Sequence, residues 1–202
     1  PLGFTFDFFG NNFQQFFVNT NGNITFLRSL FQFTATGFPQ SEPSVAPFWA
    51  AVATRGVNSG QVRLAQGFSP RGNPFIQVDW PDVGYFASHV DKLNDFTLFI
   101  EDDPTGDLIC FTYRNMEWTT GDASGGTNGF GGTGAQIGFD SGDGVNFISL
   151  GRPTNAAGLV PFTNTQLIFK LGAGGIPQVP PPPSGNANVS NDPALDQTSS
   201  AV

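Results

Sequence analysis

Phe16-Phe17-Val18-Asn19-Thr20-Asn21-Gly22-Asn23-Ile24-Thr25-Phe26-Leu27 reads as a β-hairpin. The strands Phe17-Val18-Asn19 and Ile24-Thr25-Phe26 flank Asn21-Gly22, the dipeptide that best tolerates the positive φ angles of a tight turn. The period-two alternation of this segment recurs along the chain, and no window of helical length keeps a 3.6-residue apolar stripe. Upstream, Leu2, Phe4, Phe6 and Phe8 share one face of a first strand. Downstream, strands are expected over 45–53, 61–66, 74–80, 95–101, 108–114, 135–140, 146–150 and 166–171, separated by Gly, Asn, Pro and Asp clusters. Short strands at this spacing make an all-β fold, an antiparallel β-sandwich or partly open barrel.

Two glycine-rich stretches interrupt the pattern. The segment 121–134 carries glycine at 121, 125, 126, 129, 131, 132 and 134 and is expected as a long surface loop. The segment 172–185 contains Pro180-Pro181-Pro182-Pro183 and is expected as a linker, since consecutive prolines favour an extended spacer. The chain therefore divides into a β domain over 1–171, a Gly/Pro-rich linker over 172–185, and an extended C-terminal segment over 186–202.

Composition narrows the function. Charged residues are 12% of the 202, about half the usual share for a soluble domain, and 8 Lys+Arg against 16 Asp+Glu leave a net charge of −8. A chain so acidic lacks the basic face that binds a phosphate backbone, so nucleic acid is not an expected partner. No apolar run approaches the ~18 residues of a membrane span. One cysteine, Cys110, makes no internal disulfide, and one histidine, His89, builds no Cys/His zinc site. Cys110 falls on an inward position of its strand and reads as a small core hydrophobe.

Catalytic chemistry has few candidates. His89 lies in the polar loop Ala87-Ser88-His89-Val90-Asp91-Lys92 without a nucleophile motif, and the Asp pairs read as turn formers, so no enzyme is expected. Asp140-Ser141-Gly142-Asp143-Gly144 places two carboxylates three residues apart in a glycine-rich turn; Asp140 and Asp143 are the candidate calcium ligands, with Glu101, Asp102, Asp103 and Asp107 as a second acidic cluster. Neither follows the EF-hand spacing, and acidic turns are the plainer reading. Apart from calcium no cofactor is expected. Asn23-Ile24-Thr25 and Asn188-Val189-Ser190 match the glycosylation sequon. The 23 phenylalanines are mostly core, but in the adjacent pairs Phe8-Phe9 and Phe16-Phe17 neighbours point to opposite faces. Phe9 and one of Phe16 and Phe17 are therefore expected to meet a second layer, a partner subunit or solvent.

Five segments in order resemble the nidogen-like (NIDO) family of matrix and cell-surface proteins. They are Val18-Asn19-Thr20-Asn21-Gly22-Asn23-Ile24-Thr25-Phe26 followed by Val45-Ala46-Pro47-Phe48-Trp49-Ala50; Gln77-Val78-Asp79-Trp80-Pro81-Asp82-Val83-Gly84-Tyr85-Phe86; Asn94-Asp95-Phe96-Thr97-Leu98 leading to Phe111-Thr112-Tyr113; and Gln136-Ile137-Gly138-Phe139-Asp140-Ser141-Gly142-Asp143-Gly144. The resemblance spans roughly residues 2–171 and implies a non-catalytic module of secreted chains. Family members often carry Phe-Trp-Ala-Asp-x-Asp where this chain has Phe48-Trp49-Ala50-Ala51-Val52-Ala53, so any role of those two acids is absent here.

Residues 190–202 resemble the start of the same family, and reading from Val202 into Pro1 gives a continuous domain start. The resemblance implies an extracellular fibre, stalk or matrix subunit, assembled as tandem repeats or as a head-to-tail homopolymer in which the tail completes a neighbour's sheet. The expected assembly residues are Phe9, Phe16, Phe17, Val189, Leu195 and Val202. The competing expectation is a monomeric adhesion module that holds a glycan or matrix protein in its loops through Tyr85, His89 and Phe130.

Overall fold

A computed structural model describes residues 1–179. Fourteen strands are present among them: β1 (Phe6–Phe8), β2 (Asn11–Phe13), β3 (Phe17–Asn19), β4 (Asn23–Thr25), β5 (Ser44–Trp49), β6 (Val52–Ala53), β7 (Arg63–Phe68), β8 (Pro74–Tyr85), β9 (His89–Glu101), β10 (Leu108–Asn115), β11 (Gln136–Asp140), β12 (Phe147–Gly151), β13 (Thr165–Leu171) and β14 (Pro177–Gln178). A five-stranded sheet runs β12-β11-β5-β4-β3. A seven-stranded sheet runs β14-β13-β10-β9-β8-β6, with β7 also on β8, and β1-β2 form a separate hairpin. All pairings are antiparallel. The all-β sandwich read from the alternation is the fold observed.

The deciding hairpin forms in the expected place, with Phe17 opposite Thr25 and Asn19 opposite Asn23. Its turn is three residues, Thr20-Asn21-Gly22, and Gly22 alone takes positive φ, at 81°. The Gly22 N–H closes it on the Asn19 carbonyl at 3.2 Å. This is the three-residue geometry whose last position favours glycine.

The core lies between the two large sheets. Ile76, Val78, Trp80, Phe96, Leu98, Ile100, Ile109 and Phe111 of the seven-stranded sheet meet Ile24, Val45, Phe48, Ile137 and Phe139 of the five-stranded one. Phe6, Phe8 and Phe13 of the small hairpin close one side against Phe26, with Phe13 and Phe26 rings 4.7 Å apart. Burial of Leu2, Phe4, Phe6 and Phe8 follows the alternation expected of the first strand. Each tryptophan and buried tyrosine finds a partner for its polar tip, as rings of this kind require. Trp80 Nε1 donates to the Thr20 carbonyl at 3.0 Å, Trp118 Nε1 to Val83 at 3.0 Å, and Tyr113 Oη to Pro47 at 2.8 Å.

Three departures from the sequence pattern have physical causes. The expected strand 45–53 is two strands. Between Gln136/Trp49 and Gly138/Ala46 the register shifts, a bulge that turns Phe48 into the main core and Trp49 outward onto Ala35, Leu30 and Phe38. The stretch 121–134 is not a loose loop. Thr119 and Thr120 N–H groups both donate to Gly129, at 2.8 and 3.1 Å, Thr133 donates to Ser124 at 2.9 Å, and Gly131 to Thr154 at 2.7 Å. Its glycines permit close approach: a β-carbon on Gly132 would lie 2.4 Å from the Gly125 carbonyl carbon. Finally, the sheet continues past residue 171. Gly172 starts a 3-10 turn over Ala173–Gly175, and Pro177–Gln178 pairs with Lys170 and Leu171, so this part of the expected linker is an edge strand.

Candidate interaction surfaces

β8 and β9 make the longest hairpin, and its tip forms one end of the domain. Three residues, Phe86–Ser88, turn the chain, with Ala87 and Ser88 both at positive φ, 65° and 63°. Non-glycine residues take that region at a cost, and such strain gathers at recognition sites. The turn sets Tyr85 opposite His89, with ring centroids 4.8 Å apart. Tyr85 is buried, donates from Oη to Asp91 Oδ1 at 2.9 Å, and is driven well above the ordinary tyrosine value by burial and by the Asp91 carboxylate. Asp91 is held below the usual range by Lys92, 2.5 Å away, and by Tyr85.

The glycine-rich segment packs beside this tip. His89 Nδ1 lies 3.4 Å from Asp122 Oδ2, within ion-pair distance when the imidazole is protonated but without hydrogen-bond geometry. Lys92 Nζ sits 5.8 Å from the Phe130 ring centre, a cation–π distance. Thus the three residues expected in the loops are neighbours, but Tyr85 is a packing residue, leaving His89 and Phe130 partly accessible.

Sequence reasoning missed the most exposed aromatics at this end. Phe33 stacks on Phe86 at 6.0 Å, and Phe31 is 85% exposed. The segment that carries Phe31 and Phe33 is tied to the glycine-rich loop by Thr34 Oγ1 and Ser124 Oγ, 3.1 Å apart. The alternation Phe31-Gln32-Phe33 was the available signal, but it belongs to a loop and no strand is formed there.

A second surface lies along β7. Register places Leu64 opposite Val78 and Gln66 opposite Ile76, so β7 shares the core face of β8. Yet Leu64 is 51% and Phe68 72% exposed, because the opposing sheet does not extend over them. The other edge of β7 pairs with no strand among the described residues. Gln66 Nε2 reaches the Pro1 carbonyl at 2.9 Å, and Pro1 borders an open depression of about 670 Å³ lined also by Asn12, Phe13, Gln14 and Phe26.

The expected assembly residues distribute differently. Phe9 occupies the β1–β2 turn at φ 49°, with its ring edge-on to Phe8 at 4.8 Å, so its second layer is its own chain. Phe16 packs partly on the core, and Phe17 is half-buried on β3, the edge of the five-stranded sheet. Val189, Leu195 and Val202 lie outside the described residues.

The acidic turns are internally engaged. Asp140 accepts Gln40 N–H and Gly142 N–H, each at 2.8 Å, and burial raises its carboxyl. Asp143 accepts Val145 and Asn146 N–H at 2.7 Å, and these bonds, Asn146 foremost, hold it far below the ordinary range. Both carboxylates act as anchors of the β11–β12 turn. Glu101 leaves the second acidic cluster: it is fully buried on β9, paired with Arg71 Nη2 at 2.6 Å and bonded by Ser69 Oγ at 2.7 Å. Among the described residues no group of three or more His, Cys, Asp or Glu side chains is arranged to hold a metal ion. The sequon at Asn23 is buried with its Thr25, 1% and 0% exposed, which closes it to a glycan.

Comparison with known proteins places this geometry. Human alpha-tectorin is 32% identical over 168 residues, covering 71% of this chain and 8% of its own; chicken alpha-tectorin is 30% identical over 174 residues. Drosophila melanogaster nidogen is 28% identical over 162 residues, 68% of this chain and 12% of its own. The chain thus spans only a small part of these relatives' length. No solved structure matches it. Alpha-tectorin and nidogen are extracellular matrix proteins, and the chain shares their extracellular location. Among the described residues no helix is long and apolar enough to cross a membrane. The family model described as NIDO related matches residues 1–178, the whole of the double sheet from Leu2 to β14, and the chain belongs to that family.

Proposed function

We propose that this chain is a non-catalytic structural module of an extracellular matrix or fibre that assembles head-to-tail, segment 186–202 of one copy adding a strand along β7 of the next. The observation that supports it is the flank of β7, which no strand among the described residues covers. An unpaired edge offers backbone donors and acceptors, and Leu64 and Phe68 offer apolar area on the core face beside it. A strand laid there covers both and continues the sheet. The tail has suitable chemistry, since Val189, Ala194, Leu195 and Val202 are spaced among small polar residues. Residues 180–185, with their run of prolines, set the distance between copies.

The test compares native mass with denatured mass for the full chain, for Leu64→Asp with Phe68→Asp, and for a chain ending at residue 185. Large native particles that fall to single chains in both variants support the reading. Monomers at every concentration overturn it, and material whose denatured mass is a multiple of one chain makes the copies covalent repeats instead. The specific observation favouring the second reading, an adhesion module, is the exposed Phe31, Phe33 and Phe86 cluster beside His89. That reading expects a monomer whose binding to a matrix protein or glycan is lost in Phe31→Ser.

A further inference from the structure

The two ends of the seven-stranded sheet are built differently, and strand register fixes which is which. Tyr85 pairs with His89 at one end of the β8–β9 hairpin, and Phe75 with Glu101 at the other. Glu101 is level with Leu108, Leu108 with Lys170, and Lys170 with Gln178. The chain therefore leaves the sheet at the Glu101 end, whereas Phe86 lies at the opposite end, just beyond Tyr85. β9 runs 13 residues between these two levels, a length of about 40 Å at the rise of an extended strand.

The tip end carries an aromatic surface anchored from behind. Phe33 stacks on Phe86 with ring planes 27° apart, and Phe31 precedes Phe33 by two residues. All three rings are accessible, Phe31 most of all. Between Phe31 and Phe33, the Gln32 carbonyl accepts Trp49 Nε1 at 2.9 Å. Gly121 makes room behind Phe86, since a β-carbon on it would lie 2.9 Å from the Phe86 Cβ. Rings on a backbone already fixed in this way lose little freedom when a partner covers them.

We propose that this surface seats the run Pro180-Pro181-Pro182-Pro183 of a neighbouring copy. Four consecutive prolines favour the polyproline II helix, which docks on aromatic-lined surfaces at low entropic cost. The run carries no charge, so it asks for no ion pair. Reach decides which copy supplies it. Pro183 is five residues beyond Gln178, and five residues span at most about 18 Å, less than half the length of β9. A chain's prolines therefore cannot return to its own Phe86. Those of another copy can, and the exit end of one domain then abuts the tip of the next. The inference rests on the proposed head-to-tail assembly and adds to it the place where copies meet and the direction of the added strand. Residues after Pro183 enter the next copy at its tip. On β7, Arg63 lies opposite Asp79 and Phe68 opposite Pro74, so Arg63 is nearer the tip and the added strand runs parallel to β7.

The test titrates a peptide of residues 178–185 into the full chain carrying Leu64→Asp and Phe68→Asp, with the Phe31, Phe33 and Phe86 ring resonances as readout. Saturable shifts at these rings are expected. They vanish with a peptide bearing alanine at the four proline positions, and the affinity falls roughly tenfold or more in Phe31→Ser. No response to millimolar peptide overturns the proposal, as does an equal response to the alanine peptide. In the wild-type chain, Phe31→Ser and replacement of the four prolines by alanine should each raise the concentration needed for assembly, and together no further than either alone; independent, additive effects overturn the contact. Large particles without a peptide response remove this inference and leave strand addition on β7 standing. A peptide response from a chain that stays monomeric does the reverse. A matrix protein or glycan that binds through Phe31 where the peptide does not would give the surface to adhesion instead.

Discussion

Gly22 passes so close to β5 that a β-carbon on it would lie 1.9 Å from the Phe48 carbonyl oxygen. The two residues are also bonded directly, the Phe48 N–H donating to the Gly22 carbonyl at 3.2 Å. The turn of the deciding hairpin is thus the seat on which β5 rests, and the Phe48 ring in turn packs tilted against Phe96 at 5.5 Å and edge-on to Trp118 at 5.6 Å. Gly22→Ala combines a positive-φ penalty with a backbone clash that no rotamer relieves. A loss of roughly 3 kcal/mol or more is expected in chemical denaturation. A loss below about 1 kcal/mol would show that the hairpin can move away from β5 freely.

Glu101 is the most deeply buried acid on the outer face of the seven-stranded sheet. It accepts from Ser69 Oγ at 2.7 Å, Asn73 Nδ2 at 3.0 Å and Arg71 Nη2 at 2.6 Å. Its role is to knit the β7–β8 turn to the end of β9. Glu101→Ala leaves three donors without their shared acceptor and is expected to cost about 3 kcal/mol, with Glu101→Gln recovering part of it. Because Arg71 is partly exposed, Arg71→Ala is expected to cost less than Glu101→Ala. The reverse order in paired denaturation curves would mean that the arginine's packing, not the carboxylate, holds the turn.

Much of the fold was legible because one face of each strand is buried, which writes a period of two into the sequence. The segments Phe75–Glu101 and Leu108–Tyr113 show it plainly: Ile76, Val78 and Trp80 point inward, while Gln77 and Asp79 join Thr97 on the other face, where Thr97 Oγ1 donates to Asp79 Oδ1 at 2.7 Å. What was illegible depends on contacts distant in sequence. The bulge that separates Phe48 from Trp49 is set by pairing with β11, some 90 residues away. The compactness of 121–134 depends on Trp118 and Thr154, and glycine reads as looseness until the neighbouring backbone is seen. Among the site residues, His89 and Phe130 were recognisable as loop positions. Nothing local distinguished Tyr85 from them, since its burial comes from Trp118 and Gly129 packing over the ring. The exposure of Leu64 and Phe68 is likewise a property of where the second sheet ends.

The chain has two tyrosines, and both are expected to stay neutral far into alkaline solution. Tyr113 is raised well above the ordinary value by burial, and Tyr85 by burial and then by Asp91. A raised phenol contributes stability that is present below its unfolded value, about 10, and lost as pH rises beyond it. In an alkaline absorbance titration, no tyrosinate signal is expected near pH 10 and both phenols are expected to ionise together as the fold opens. Tyr85→Phe should leave a single late step, with Asp91 still paired to Lys92. A separate, reversible step near pH 10 in the folded chain would place one tyrosine in contact with water.

Cys110 sits on the opposite face of β10 from the main core, with Phe75 and Phe99, whose rings stack at 5.2 Å. It is 3% exposed, its sulfur lies 3.6 Å from Thr112 Oγ1, and burial pushes the thiol up to about 11. The nucleophile in thiol chemistry is the thiolate, so near-neutral solution leaves this group both unreachable and protonated. A disulfide-exchanging reagent at about pH 8 is therefore expected to leave the native chain unmodified and to label one thiol per chain once denaturant is added. The same chemistry bears on assembly, since a sulfur held under Phe75 and Phe99 cannot crosslink two copies without opening the β8–β9–β10 face. Oligomers of the full chain should accordingly be indifferent to reductant, and particles that dissociate on reduction would require Cys110 to leave its site.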